Sequence, residues 1–493
     1  MRWEIDEDVS ENDRRKITRE MRRNLKCKRV SYARLTACSC LPPISLHIYA
    51  KFSLTKIVFF AYYYNMLNEL AKELNDTLKG TAAAELFSDL GERIYFPNGI
   101  IAQSNEAKEL GKVANGTIGT TIVEGKPAML DAIHKFAPEL SSSELVGYAP
   151  TAGSPKLREA WKQNILKKNP SLKEKKFSLP VLVPGLTAGI SYISDLFLDE
   201  TKPLLSADPC WDNYALICQA RRGAEFHQFN MFKDGKFDLD SFEKAVKKEA
   251  EKKSVRLLLN FPQNPSGYSP SKSEAKRICD ILKEVAEGGT KILAISDDAY
   301  FGLNYEDSIE EQSLFAYTCD LHKNILAVKI DGPTKEDFVW GFRSGFVTFG
   351  NPEFSDTQYK ALVTKLMGVI RSSVSCAATP SQSLILRAME DENFETQKLQ
   401  FRKILEGRYK KVRAFVDSHK SDTLEALPFN SGYFMSFSLK GKNAEALRKK
   451  LLNEHGIGTV SIDEKTLRVA FSSLEEEKID FVYEMIYKAA EEL

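Results

Sequence analysis

The sequence predicts an α/β protein built on a mainly parallel sheet, and three stretches between Asn260 and Arg343 predict it. Leu257-Leu258-Leu259 runs into Asn260-Phe261-Pro262-Gln263-Asn264-Pro265-Ser266-Gly267. Ile292-Leu293-Ala294-Ile295-Ser296 runs into Asp297-Asp298-Ala299-Tyr300, and Ile325-Leu326-Ala327-Val328-Lys329-Ile330 into Asp331-Gly332-Pro333-Thr334-Lys335. Short leucine-rich or β-branched runs bounded by Pro, Gly, Asn and Asp read as strands buried on both faces. Such sheets collect their ligand groups just past the strand ends. An Asn, an Asp, a Tyr, a Lys and, in Gly341-Phe342-Arg343, an Arg are therefore expected to converge on one crevice.

Each cluster alone has a plain structural role. Asn-Pro-Ser-Gly is good turn chemistry, because Pro presets φ and Gly supplies φ > 0. A Lys after a strand is commonly a solvated side chain, and Asp-Asp-Ala-Tyr suits a helix start. Order and spacing together change that. Asn264-Pro265-Ser266-Gly267, then Asp297 with Tyr300 three positions on, then Lys335 with Arg343 eight positions on, resembles the pyridoxal-phosphate (PLP) aminotransferases of fold type I, the aspartate aminotransferase superfamily of class I and II.

The resemblance implies a large domain with a mainly parallel sheet plus a discontinuous small α+β domain. It implies pyridoxal 5'-phosphate as cofactor, with Lys335 joined to its aldehyde, Asp297 paired with its pyridine nitrogen, Asn264 and Tyr300 on its ring oxygen and Arg343 on its phosphate. The chemistry needs these residue types. A carbanion at the substrate Cα is stabilised only if the pyridine ring stays protonated, which a buried carboxylate secures by charge pairing. The amine must be nucleophilic near neutral pH, so a Lys whose pKa is lowered by burial and nearby cations is required, and the same amine can then carry a proton. A planar guanidinium suits a phosphate dianion.

The chain is 493 residues long and 43% hydrophobic, enough to bury a sizeable core, and its formal net charge of +1 gives no global pull toward nucleic acid or an anionic membrane. Cys38 and Cys40 stand near the start and the other six of the eight Cys are scattered without Cys-x-x-Cys spacing, which reads as a reducing, cytoplasmic setting without structural zinc. The six His are isolated in sequence, so no metal site is expected.

Residues 1–65 differ from the rest. Ten basic residues stand against Glu20 alone between Arg14 and Arg34, and the apolar run Ile57–Tyr64 is far short of the ~20 residues that span a bilayer. A disordered basic arm, a targeting or membrane-surface segment and an upstream extension outside the working protein are the open readings, the last preferred because a regular pattern begins at Met66. Leu67, Leu70, Ala71, Leu74 and Leu78 share one helical face, ended by Gly80.

Val113–Pro127 resembles the segment by which the family's small domain reaches over the substrate, with Ile118 as apolar cover and Gly119 allowing close backbone approach; a Gly-rich connecting loop is the alternative. Tyr148-Ala149-Pro150-Thr151-Ala152-Gly153-Ser154-Pro155-Lys156-Leu157-Arg158 matches the family's Tyr-x-x-x-x-Gly-x-x-x-Leu-Arg, whose Tyr bonds the cofactor phosphate of the neighbouring subunit. Leu182–Gly189 is a strand, a Gly turn and a helix start, and free N–H groups at a helix N-terminus suit an anion, so Leu186 and Thr187 are placed at the phosphate. In Asp208-Pro209-Cys210-Trp211-Asp212-Asn213-Tyr214, Trp211 is the ring expected to stack on the pyridine face, a core Trp being the alternative.

Two departures from the family stand beside Lys335. The Ser or Thr often found three positions before the Lys is Gly332 here, although Thr334 holds the position one before. Lys329 is a rival amine, but it lies within the apolar run and fourteen residues from Arg343. Further on, Arg371 resembles the Arg that crosses the dimer interface to a substrate's distal carboxylate, and a helix-end Arg is the alternative. Arg468 in Leu467–Phe471 resembles the Arg that grips the α-carboxylate. Ser473 and Glu476 form a capping-box pattern before a last amphipathic helix.

The predicted division is an N-terminal extension at 1–65, disordered or outside the functional protein, a small domain of 66–129 and 404–493, and a large PLP-binding domain of 130–403. The predicted activity is transfer of an L-amino acid's amino group to a 2-oxo acid by ping-pong chemistry, in a homodimer with shared sites and with neither nucleic acid nor membrane as partner. A PLP-dependent lyase or decarboxylase on the same fold is the alternative, and a DNA-binding regulator with an aminotransferase-like domain a further one.

Overall fold

The structure is a computed structural model that describes residues 67–78, 89–94 and 100–493. Residues 68–493 form one compact unit, to which the following refers. The predicted extension 1–65, Met66 and Gly80 lie outside the described residues.

Seven strands make the main sheet: β1 Val181–Val183, β2 Leu204–Asp208, β3 Phe226–Asn230, β4 Ser254–Asn260, β5 Lys291–Asp297, β6 Ile325–Asp331 and β7 Gly345–Gly350. Their order is β1-β7-β6-β5-β4-β2-β3, and β7 alone runs against the rest. The three apolar runs that predicted the fold are β4, β5 and β6. Side chains alternate across a strand, so Leu258, Leu293, Ile295, Val328 and Ile330 enter one core while Leu257, Leu259, Ile292 and Ala294 enter another. The first face is covered by Ile190 and Ile193 of one helix and Leu366 and Ile370 of a second; the other is covered by Phe242, Val246, Ile278 and Ile281. Covered on both sides, these strands have no solvent face, hence their continuous apolar character.

The helices used below are α1 Glu69–Leu78, α2 Ile100–Leu110, α3 Pro155–Lys168, α4 Leu186–Phe197, α5 Lys272–Glu287, α6 Asp356–Arg371, α7 Phe394–Ser418, α8 Ala444–His455 and α9 Ile479–Glu491. The helix predicted from Leu67 onward is α1, with Ala71 buried. A capping box starts α5: the Glu274 N–H donates to the Ser271 hydroxyl oxygen at 3.3 Å and the Ser271 N–H to the Glu274 carboxylate at 2.7 Å.

A smaller antiparallel sheet holds β8 Leu424–Ala426, β9 Phe434–Leu439, β10 Val460–Ser461 and β11 Thr466–Ala470 in the order β8-β9-β11-β10. Val482, Tyr483 and Ile486 of α9 are buried in the core that this sheet shares. Ala114 and Asn115 pair in parallel with Ile457 and Gly458, joining the early and late parts of the chain. The capping box predicted at Ser473 is not formed: its hydroxyl donates to the Asn115 carbonyl at 2.8 Å, and a 3₁₀ turn at Glu476–Lys478 precedes α9. Among the described residues no helix is long and apolar enough to cross a membrane.

Candidate active site

The register brings the strand ends together. Asp297, last in β5, lies beside Asn260, last in β4, and beside Ile330 of β6. Because β7 is reversed, its first residue Gly345 pairs with Val183 at the end of β1, so the start of α4 opens onto the same edge. A cavity of about 420 Å³ lies there. Of the predicted site residues, Ile118, Gly119, Leu186, Thr187, Trp211, Asn264, Asp297, Tyr300, Lys335, Arg343 and Arg468 all line it. Tyr148 and Arg371 do not: Tyr148 is 97% exposed, and the exposed Arg371 guanidinium, at the end of α6, donates to the Ser375 hydroxyl at 3.2 Å.

Asp297 is buried, and burial pushes its carboxyl up to about 6 against the pull of the Tyr214 hydroxyl and of Lys335. The Tyr214 hydroxyl donates to Asp297 Oδ2, and the Ala299 N–H to Oδ1 at 3.2 Å. A cation placed beside this carboxyl would reverse its upward shift. Asn260 Nδ2 donates to the Asp297 carbonyl at 2.7 Å and Asn260 Oδ1 accepts from the Asn264 N–H at 2.8 Å, which ties the two strand ends together.

Lys335 stands on a single helical turn, Pro333–Glu336, after β6. Its Nζ is 4.9 Å from the Tyr300 ring centroid. Burial, aided by the Arg343 charge, brings the amine down to about 8 despite the opposing pull of Asp297. Lys329 is different. It is buried outside the cavity, ion-paired with Asp298 and, at 3.5 Å, with Asp331. Burial pulls its pKa down, but the two carboxylates outweigh that and hold it above its ordinary value.

Gly332 explains its own departure from the family pattern. A Cβ there would stand 2.9 Å from both the Ser344 carbonyl oxygen and the Gly345 Cα, so a Ser or Thr has no room. The Thr334 hydroxyl is buried and donates to the Ser344 carbonyl at 3.3 Å.

Two sets of anion-binding groups line the cavity. Gly185, at φ 89°, precedes α4, no side chain caps that helix, and a Cβ on Gly185 would come within 2.7 Å of an Arg343 guanidinium nitrogen. The first N–H groups of α4 and the Arg343 fork thus share one concavity. Arg468, buried in β11, donates from Nη1 to Asn264 Oδ1 and from Nη2 to the Thr117 carbonyl, each at 2.9 Å, and lies 4.3 Å over the Phe434 ring. Its Nε has no partner, and burial brings its pKa down to about 10. A Cβ on Gly119 would stand 3.0 Å from the Phe434 ring, so a larger residue here would have to push that ring back by a few tenths of an ångström.

Sequence reasoning gave no role to several residues of the cavity: Tyr214, Asn260, Thr117, Phe434 and, from α2, Ile100, Ser104, Asn105 and Lys108. The spacing of 100, 104 and 108 is one helical face and was visible, but nothing in it distinguishes a cavity wall from a solvated face.

These groups fit pyridoxal 5'-phosphate. An unpaired amine faces a buried carboxyl, a helix start with a guanidinium suits a phosphate, and Trp211 supplies a flat ring, set edge-on to Tyr214 at 5.4 Å between centroids. Among the described residues no cluster of His, Cys, Asp and Glu could hold a metal ion.

The family of class I and II aminotransferases matches residues 120–486. An aspartate aminotransferase of Pyrococcus abyssi is 25% identical over 280 residues, 57% of this chain and 66% of that one. An aromatic-amino-acid aminotransferase of Thermococcus litoralis is 24% identical over 58% of this chain and 67% of its own. The chain thus spans about two thirds of the length of these curated relatives. Among solved structures, an aminotransferase from Anaerococcus prevotii superimposes with a TM-score of 0.72 at 24% identity, covering 80% of this chain and 97% of that one. A kynurenine aminotransferase of Pyrococcus horikoshii, in complex with PMP, gives 0.70 at 15% identity over 83% and 98%.

Proposed function

Because the chain belongs to the class I and II aminotransferases, whose members work with pyridoxal 5'-phosphate, we propose that it moves the amino group of an L-amino acid to a 2-oxo acid in two half-reactions. The observation that carries this is Lys335: an amine with no hydrogen-bond acceptor of its own, facing Asp297 in a cavity that also holds Arg343 and Arg468.

When bound, the cofactor supplies an aldehyde that takes up the amino group and a cationic ring that accepts the electron pair left at the substrate Cα. Asp297 holds the proton on the ring nitrogen, and the Tyr214 hydroxyl keeps that carboxylate oriented. Arg343 and the start of α4 hold the phosphate, while Leu186 and Thr187 supply the backbone donors. Trp211 packs on the ring face. Asn264, fixed by Arg468, has its Nδ2 to offer the ring oxygen, and Tyr300 offers its hydroxyl beside it. Arg468 grips the substrate's α-carboxylate and so fixes the direction of the Cα–H bond. Lys335 Nζ, titrating at about 8, is partly free base at neutral pH and moves that proton. Ile118 and Gly119 cover the substrate and exclude water.

The same reading makes the molecule a cytoplasmic homodimer, in which Tyr148 bonds the phosphate in the partner's site and Arg371 reads a distal carboxylate there. It divides the chain into a small domain of 66–129 with 404–493 and a large one of 130–403; the pairing of Ala114–Asn115 with Ile457–Gly458 supports the discontinuity. The test is a panel of amino acid donors crossed with 2-oxoglutarate, pyruvate and oxaloacetate, following conversion of the bound cofactor to its pyridoxamine form. Loss of substrate carbon or sulfur without that form would overturn the reading in favour of a lyase or decarboxylase.

A further inference from the structure

Lys335 is followed at once by two carboxylates, Glu336 and Asp337, neither of which lines the cavity. Both enter a buried knot of charge. Asp337 meets Lys398 of α7 at 2.7 Å; Glu336 meets Lys168, last in α3, at 2.6 Å and Lys398 at 3.7 Å. Beyond them Phe338 takes a left-handed backbone at φ 56° with its ring 5.0 Å from Phe401, one turn on from Lys398 in α7. Arg343 is left-handed as well, at φ 48°. L-residues resist that conformation, so the surroundings must hold it. The span carrying both the amine and the guanidinium is therefore bent at two unfavourable points and pinned, at the first bend and just before it, by Phe401 and Lys398 of a single helix. A further pin is the Tyr433 hydroxyl, which donates to the Lys335 carbonyl at 2.9 Å.

Four charges, Asp337 and Lys398 buried and Glu336 and Lys168 partly so, are a poor way to gain stability, since desolvation offsets most of their attraction and apolar side chains of similar volume do as well or better. What ion pairs between defined atoms supply is register. We propose that Lys398 is a positioning residue for the reaction: through Asp337 and Glu336 it sets where Lys335 Nζ and the Arg343 guanidinium stand relative to each other. The inference rests on Lys335 being the amine that bears the cofactor. Such a span tolerates little slack, because one amine and one guanidinium must together meet an aldehyde and a phosphate arm carried on neighbouring carbons of one small ring.

The test uses the cofactor-loaded protein and three readouts: PLP affinity by fluorescence titration, the pH midpoint of the bound cofactor's visible band, and Tm. That midpoint reports where the amine stands among the groups that share its cavity, Asp297 from β5, Tyr300 just past it and Arg343, while Glu336 and Asp337 of its own span and Tyr433 ahead of β9 lie outside that cavity. Lys398→Met is expected to weaken PLP binding about tenfold or more and to displace the midpoint, while Lys398→Arg restores both. The decisive variant is Asp337→Asn with Lys398→Met, which removes the stranded charge and should recover Tm while the midpoint stays displaced. It also carries the test if Lys398→Met alone does not fold. Native affinity and midpoint in either the single or the double variant would overturn the proposal. Absence of any visible band in the unsubstituted protein would overturn the functional reading, and this one with it.

Discussion

Lys329 and Lys335 lie six residues apart, one inside the last parallel strand and one in the turn beyond it, and the molecule treats them in opposite ways. Lys329 is surrounded by acceptors: Asp298, itself bonded by the Ser313 hydroxyl at 2.6 Å, and Asp331, which accepts from the Trp161 indole at 3.1 Å. Its ammonium is satisfied and stays protonated. Lys335 is given a ring face, a cation and a carboxyl bound to something else. Burial alone therefore does not make an amine reactive. Burial without acceptors does, since only then is the neutral form the cheaper one to keep.

The sharpest way to separate the two is to delete each. Lys335→Ala should lower transamination by about 10³-fold or more, because it removes both the attachment point and the proton carrier, with little change in Tm. Lys329→Met should do the reverse. It strands two buried carboxylates, and removing one partner of a buried pair costs about 3–5 kcal/mol, read as a fall in urea midpoint, while the folded fraction keeps its visible cofactor band. Loss of the band from folded Lys329→Met protein would break the distinction.

Much of this contrast could be read in the sequence. The strand runs, the crevice past their ends and the preference for Lys335 over Lys329 follow from apolar continuity and from distance to Arg343. The partners of Lys329 could not be read, because Asp298 sits beside it only through the pairing of β5 with β6. Tyr214 was in view within the Trp211 segment, yet its hold on Asp297 spans 83 residues and three strands. The α2 wall was out of reach for the same reason. A helix face of Ile100, Ser104 and Lys108 becomes a cavity wall only once the parts of the chain around Ala114 and Ile457 have paired. Local chemistry marks which residues can act, and long-range pairing decides which of them meet.

Gly332 lies between the two lysines, and it tests whether their separation is fixed by packing. Gly332→Ser would give the chain the hydroxyl of the family pattern, but its Cβ would meet backbone atoms of Ser344 and Gly345 at 2.9 Å. Overpacking of that kind costs about 1–3 kcal/mol. The expected outcome is a lowered Tm and weaker PLP binding rather than the gain that an extra phosphate donor would bring; tighter PLP binding would show that the turn can shift.

The smallest effect is a displacement on the pH axis, and it bears most directly on why the two amines differ. In the cofactor-free protein Lys335 titrates at about 8 rather than its ordinary 10.5, so between those values the unfolded chain binds a proton that the folded one does not. Stability contributed by this group rises with pH across that window. Asp297 gives the opposite slope: raised to about 6 from 3.8, it is protonated in the folded protein and ionised in the unfolded one between those values, so stability falls as pH rises through them. Lys329, held protonated by its carboxylates, adds no such rise near pH 8. Urea unfolding of the cofactor-free protein across pH should therefore show a falling limb near pH 5 that Asp297→Asn flattens and a rising limb above pH 8 that Lys335→Met flattens. Over the same range, an amine-selective acylating reagent should label Lys335 with a midpoint near 8 and leave Lys329 untouched. Were the upper limb to survive in the Lys335→Met protein, the amine's lowered proton affinity, and with it the contrast between the two lysines, would be wrong.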